Sequence, residues 1–101
     1  MILTVAERIN LLQVLPVKED YLTLKILNQL KLSLGLTEDE FKKWDITQED
    51  NMIRWQENGE AEIPIGEVAT GIVVDTLREL DRNKDLPVDL FSVYEKFITT
   101  E

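Results

Sequence analysis

The residues in this chain that could do chemistry are carboxylates. It holds 20 Asp and Glu against 11 Lys and Arg, with no histidine and no cysteine. The usual zinc and copper ligands are therefore missing, as are Ser-His-Asp and Cys-His nucleophile machinery. Disulfides and thiolates are excluded on the same ground, and a reducing compartment is compatible with the composition. No Gly-rich phosphate loop is present, because the glycines at 35, 59, 66 and 71 each have a local backbone use. Asp81-Arg82-Asn83-Lys84-Asp85 matches the D-x-N-x-D opening of a calcium loop. The sixth position is Leu86 where glycine is needed, and the twelfth is Ser92 where a bidentate Glu belongs. The stretch reads better as a helix end and turn. Glu57, Glu60 and Glu62 gather around an expected loop, but an exposed tip lacks the desolvation that raises a general acid's pKa. No enzyme activity, metal or cofactor is expected.

Charge is uneven along the chain. Residues 1–34 carry four bases and three acids, net +1, whereas residues 35–101 carry seven bases and seventeen acids, net −10. A total of −9 repels a nucleic-acid backbone, so no direct nucleic-acid partner is expected. An acidic patch of Glu38, Asp39, Glu57, Glu60 and Glu62 either solubilises the protein or meets a basic partner.

The elements that must position these groups follow from apolar spacing. At 101 residues the chain has the size of a single globular domain, 1–101. Thr4-Val5-Ala6-Glu7 is a capping box opening a first helix, which Pro16 ends near Leu15. Residues 20–34, DYLTLKILNQLKLSL, carry Leu22, Ile26, Leu27, Leu30 and Leu34 in one stripe, with Tyr21, Leu24 and Leu32 on the far side. A helix apolar nearly all round is normally buried on two sides. This one is expected to be the central helix, capped by Asp20 and stopped by a left-handed Gly35.

Thr37-Glu38-Asp39-Glu40 is a second capping box, with Leu36 and Phe41 spaced as a hydrophobic staple, opening a short helix over 38–44. Residues 45–51 have no clear period, although Ile46 could begin a short strand. Residues 52–56 and 61–65 read as a hairpin around Glu57-Asn58-Gly59, pairing Trp55 with Ala61 and Ile53 with Ile63, with Gly59 left-handed. Pro64 marks its second strand as an edge. Gly66 opens a long helix whose core stripe is Val68, Ala69, Ile72, Val73, Leu77 and Leu80, with Val74 outside it. Gly71 in its interior costs about 1 kcal/mol relative to alanine unless it permits a close crossing. Pro87 starts a last helix, with Leu90, Phe91, Val93, Tyr94, Phe97 and Ile98 inward, Val88 outward and Thr99–Glu101 frayed.

The order LTVAERINLLQVLP, TLKILNQLKLSLGLTEDE, MIRWQ, GEVATGIVVDTLREL and SVYEKF resembles a group of short uncharacterised proteins carried by phages and prophages. The resemblance covers nearly the whole chain. It implies a phage or prophage source and supplies no activity or functional residues to carry over.

The expected fold is mainly α (α+β): five helices around the central helix 20–34, with one small antiparallel β-hairpin. The expected function is that of a non-enzymatic accessory protein acting through protein–protein contact, with homodimerisation as one form of it. Tyr21, Leu24, Leu32 and Val74 lie off the main stripes and form the candidate interface. One alternative is an acidic, DNA-mimic-like inhibitor of a nucleic-acid-binding or defence protein. Another is a winged-helix transcriptional regulator, which the element order allows but Glu38-Asp39-Glu40 on the recognition helix opposes. Charges at Glu7 and Arg8 interrupt what would be a signal peptide's apolar core, and no run approaches the roughly 18 residues of a membrane span. A cytoplasmic protein is expected.

Overall fold

The computed structural model describes residues 1–50 and 52–99. Strand β1 (Ile2–Thr4) leads into helix α1 (Val5–Val14), followed by α2 (Tyr21–Leu34) and α3 (Glu38–Lys43). Strands β2 (Thr47–Glu49), β3 (Met52–Arg54) and β4 (Glu60–Glu62) then precede α4 (Glu67–Arg82). The expected fifth helix is instead a composite segment: a 3₁₀ turn at Val88–Leu90, an α turn at Phe91–Tyr94 and a π turn at Glu95–Thr99. The described residues are thus mainly helical, with four α-helices longer than one turn rather than five. Thr100 and Glu101, part of the expected frayed end, lie outside them, as does Asn51.

The helix starts form as the local chemistry dictates. Thr4 Oγ1 accepts from Glu7 N at 3.2 Å while the Glu7 carboxylate accepts from Thr4 N at 2.9 Å. Thr37 and Glu40 repeat the exchange at 3.2 and 2.8 Å, and Asp20 accepts from Thr23 N at 2.8 Å. Leu36 and Phe41 both pack against the smaller of two apolar clusters, where the staple spacing puts them.

The helix ends depart from expectation. Gly35 is extended at φ −61° rather than left-handed. The left-handed stops fall on Asp45 after α3 (φ 49°) and Lys84 after α4 (φ 59°). Each is closed by a six-residue bond, Ile46 N to Phe41 O and Asp85 N to Leu80 O, both 2.8 Å. That is the Schellman arrangement, with an L-residue tolerating the position glycine usually takes.

The expected hairpin between 52–56 and 61–65 does not form. Two separate two-stranded antiparallel sheets replace it. β3 turns back on β2, pairing Ile53 with Gln48, and β4 pairs with the unexpected β1, placing Leu3 opposite Ala61. The reason lies in where the Glu57–Gly59 loop spends its hydrogen bonds. Gly59 O accepts from Val5 N and Asn58 Oδ1 from Ala6 N, covering the donors of the first turn of α1. Gln56 N and Glu57 N both donate to Trp44 O at the end of α3. The loop is a tertiary cap rather than a turn, and Gly59 has no positive φ. The reversal occurs between Glu49 and Met52, with Asp50 at φ 47°. Pro64 stands just past β4.

The expected arrangement around a central helix 20–34 is not confirmed. α2 buries Leu27, Leu30 and Leu34 and packs against α1 and α4 on that side only. α1 packs against β1, α2 and the first two turns of the C-terminal segment. The main core joins Leu3, Leu11, Leu27, Leu34, Val73, Leu77 and Val93, among others, and a second cluster holds Val5, Trp44 and Ile46. Val68 and Phe91, both expected inward, are exposed, while Ala69, Leu90 and Val93 beside them are buried.

Two glycines give opposite predictions. A Cβ at Gly59 would overlap the indole of the buried Trp44, whereas one at Gly71 would meet nothing. Gly59→Ala should lower stability by about 1–3 kcal/mol through overpacking. Gly71→Ala should raise it by about 0.5–1 kcal/mol, since the interior of an exposed helix face gains from alanine. Urea midpoints at constant m-value check both.

Candidate functional site

Two consecutive charged residues of α1 are buried, and neither was singled out as functional by the sequence. Arg8, 1% exposed, donates from Nε to Leu34 O at 3.0 Å and from Nη2 to Gly35 O. Its guanidinium also grips Glu40 bidentately, at 2.7 Å from Nη1 and 3.1 Å from Nη2. Glu7 accepts from Lys96 Nζ at 2.6 Å, and Lys96 donates again to Ile2 O at 2.9 Å. The helical wheel did contain a signal: Arg8 falls between Leu11, Leu12 and Leu15 on the apolar face.

The electrostatics follow from these partners. Hydrogen bonding to Arg8 lowers the pKa of Glu40, its Thr37 bonds add to this, and burial opposes it. Burial alone would raise Glu7, but hydrogen bonds from Lys96, the Thr4 backbone and Ser92 outweigh it, leaving the carboxyl below its ordinary range. Asp20 is lowered by its cap bonds to Thr23. Burial, then the Asp81 carboxylate at 3.3 Å from its hydroxyl, raises Tyr94. All of these bonds hold the fold.

The residues proposed for an interface separate cleanly. Tyr21 is 75% exposed and Leu32 76%, with Leu24 at 37%. Val74 does not join them, because it is partly buried against the main core. Leu22, assigned from the sequence to the inward stripe, is 69% exposed. Tyr21, Leu24, Asn28 and Leu32 follow one another at helical spacing, so they make a single outward row with Lys25 beside it. No acid occurs between Tyr21 and Leu34, and Lys25 and Lys31 are the only charges there. Beside this face an open groove of about 380 Å³ runs between α2 and the start of α4, lined by Ile26, Leu30, Pro64, Ile65 and Val68 among others.

The acidic residues are less concentrated than the sequence suggested. Glu38 and Asp39 occupy the first turn of α3, where the helix dipole favours them. Glu57 lies beyond the other end of that helix, through its backbone bond to Trp44 O. Glu60 and Glu62 share one side of β4, and Glu62 pairs with the N-terminal ammonium at 2.9 Å. In the calcium-loop-like stretch, Asp81 accepts from Tyr94, Asn83 donates to Glu79 and Lys84 is left-handed. No helix among the described residues is long and apolar enough to cross a membrane. The chain matches no protein-family model, no curated protein and no solved structure.

The buried pair makes a pH prediction with a definite sign. The folded pKa of Glu40 lies below its unfolded value, so its contribution is fully present above about pH 4.3 and is lost as pH falls through the lowered folded value. Glu7 behaves alike. Glu40→Gln should cost about 3 kcal/mol at pH 7, because it leaves the Arg8 charge buried without its counter-ion. The difference from wild type should shrink as pH falls below about 4.3 and on through the lowered folded value. Urea unfolding across that range checks it.

Proposed function

We propose that this is a small accessory protein, of the phage or prophage type its sequence resembles, that works by binding protein through the exposed face of α2 rather than by catalysis. The supporting observation is the row Tyr21, Leu24 and Leu32, large apolar side chains left in solvent along a helix whose other side is fully used by the core. Exposed apolar residues scattered singly carry no meaning, and Val17, Met52 and Val88 are of that kind. A repeated row on one rigid helix, edged by polar groups, is what partner surfaces look like. The acid-free composition of the row adds to this in a protein of net charge −9, because charge is depleted where interfaces form their cores.

The α2 face is favoured over the acidic surface as the contact. Glu38 and Asp39 are on one element, Glu60 and Glu62 on another, and Glu62 already has a partner. A nucleic-acid mimic needs its carboxylates in a regular array.

The double variant Leu24→Glu and Leu32→Glu tests the reading. It should stay within about 1 kcal/mol of wild-type stability, as solvent-facing substitutions do. Used as bait against lysate of the organism that carries the gene, it should fail to retain what wild type retains. Wild-type capture should persist from about 50 to 500 mM salt, as apolar contacts do. Capture that salt abolishes and the variant retains would assign the contact to the acidic surface instead.

A further inference from the structure

We infer that the exposed face of α2 is covered by α2 of a second copy of this chain, running antiparallel about a two-fold axis that passes between Ile26 and Leu27. The inference rests on the reading above and names the occupant of that surface. It begins from the order of residues along the row. Tyr21 and Leu32 stand at its two ends, Leu24 and Asn28 lie between them with Lys25 beside, and all five face outward. The numbers pair about a midpoint: Tyr21 with Leu32, Lys25 with Asn28.

An antiparallel two-fold pairing therefore sets Tyr21 against Leu32 of the partner subunit, twice. It sets the Lys25 ammonium beside Asn28 of the partner subunit, whose amide oxygen accepts, instead of beside another ammonium. A parallel pairing would stack Lys25 on its own counterpart, as well as Lys31 on Lys31. An isologous contact needs such self-complementarity, because one patch must serve both sides.

Charge supplies the second argument. Glu19 and Asp20 precede the helix, and Lys31 lies in its last turn. The antiparallel arrangement brings the acidic end of each helix within about one turn of the other's Lys31. Elsewhere the seventeen acids of residues 35–101 give most encounters between two copies carboxylate against carboxylate, which disfavours them. The α2 face escapes this.

Size sets the strength. A 14-residue helix is about 21 Å long, and one helix pair of that length buries less than the standard interface of about 1,200–2,000 Å². The dimer is accordingly a concentration-dependent one, in the micromolar range or weaker.

Sedimentation equilibrium of the full chain from about 10 µM to about 1 mM tests this, with circular dichroism confirming that each variant is folded. Wild type should pass from monomer to dimer over that range. Leu32→Glu, which counts twice across the axis, should weaken dimerisation about 100-fold. Glu19→Lys alone and Lys31→Glu alone should each do worse than the double variant, which keeps the net charge and should return to within about threefold of wild type. Because the chain has no cysteine, Lys25→Cys and Asn28→Cys proteins can be mixed and treated with a short bis-maleimide. Cross-linking between the two different variants should exceed that within either one.

A wild type that stays monomeric at about 1 mM overturns the inference, as does a double charge variant no better than the singles. Cross-links that favour like with like overturn the antiparallel geometry. A monomeric wild type whose lysate capture is still lost on Leu24→Glu and Leu32→Glu leaves the broader reading standing. If that variant both self-associates and captures as wild type does, the broader reading falls too.

Discussion

One guanidinium fixes how the first three helices meet. From α1, Arg8 reaches the last carbonyls of α2 and the N-terminal turn of α3 at once. A helix leaves its final carbonyls without intrahelical partners, and the common remedy is a left-handed glycine that folds the backbone back over them. Here Gly35 stays extended, so the chain runs straight on to Thr37, and the open carbonyls of Leu34 and Gly35 are satisfied by Arg8 instead. The planar fork suits this: two donors go to carbonyls while two grip a carboxylate, a set that lysine could not reproduce. Glu40 is shared between Arg8 and the Thr37 cap, so capping α3 and anchoring it to α1 are one event.

The neighbouring residue does the same work in the other direction. Glu7 closes the capping box of its own helix and holds Lys96, which in turn ties β1 to the C-terminal segment. A buried ion pair is weak evidence of stability by itself, since well-packed apolar residues often do as well. What apolar residues could not do is satisfy the two carbonyls and the cap donors that these charges reach. The pair therefore specifies which surfaces meet. With its last turn held by Arg8 and its inner row set in the core, α2 is left with one face uncommitted.

Local signals were legible in the sequence and non-local ones were not. Both capping boxes, the Asp20 cap and the Leu36–Phe41 staple depend only on residues a few positions apart, and all form as the spacing requires. The hairpin failed because Asn58-Gly59 is the strongest turn dipeptide in the chain, yet its polar groups are claimed by α1, some fifty residues away in sequence. The same distance hid β1, whose three residues pair only with β4. Arg8 was readable as lying on an apolar face, but its acceptors were not, since nothing local marks Leu34 O as unsatisfied. For α2, apolar residues nearly all round the helix imply burial on two sides. The periodicity cannot distinguish a second buried side from a surface kept for a partner.

Charge bears on that ambiguity and supports the proposed reading. Of the twenty carboxylates in this chain of 101 residues, Glu7 and Glu40 close capping boxes and also pair with Lys96 and Arg8, and Asp20 caps α2. The other acids among the described residues are exposed. The exterior ones stop at α2: between Tyr21 and Leu34 there is not one. If the strip of Tyr21, Leu24 and Leu32 were simply tolerated exposure, nothing would keep acids off the positions between them, where Lys25, Asn28 and Gln29 stand. A face that must approach another surface closely has to exclude like charge from its middle as well as present apolar groups at its ends. On the reading proposed above, the acidic surface and the apolar strip act together: like charge disfavours contact over much of the exterior, and α2 offers an acid-free face.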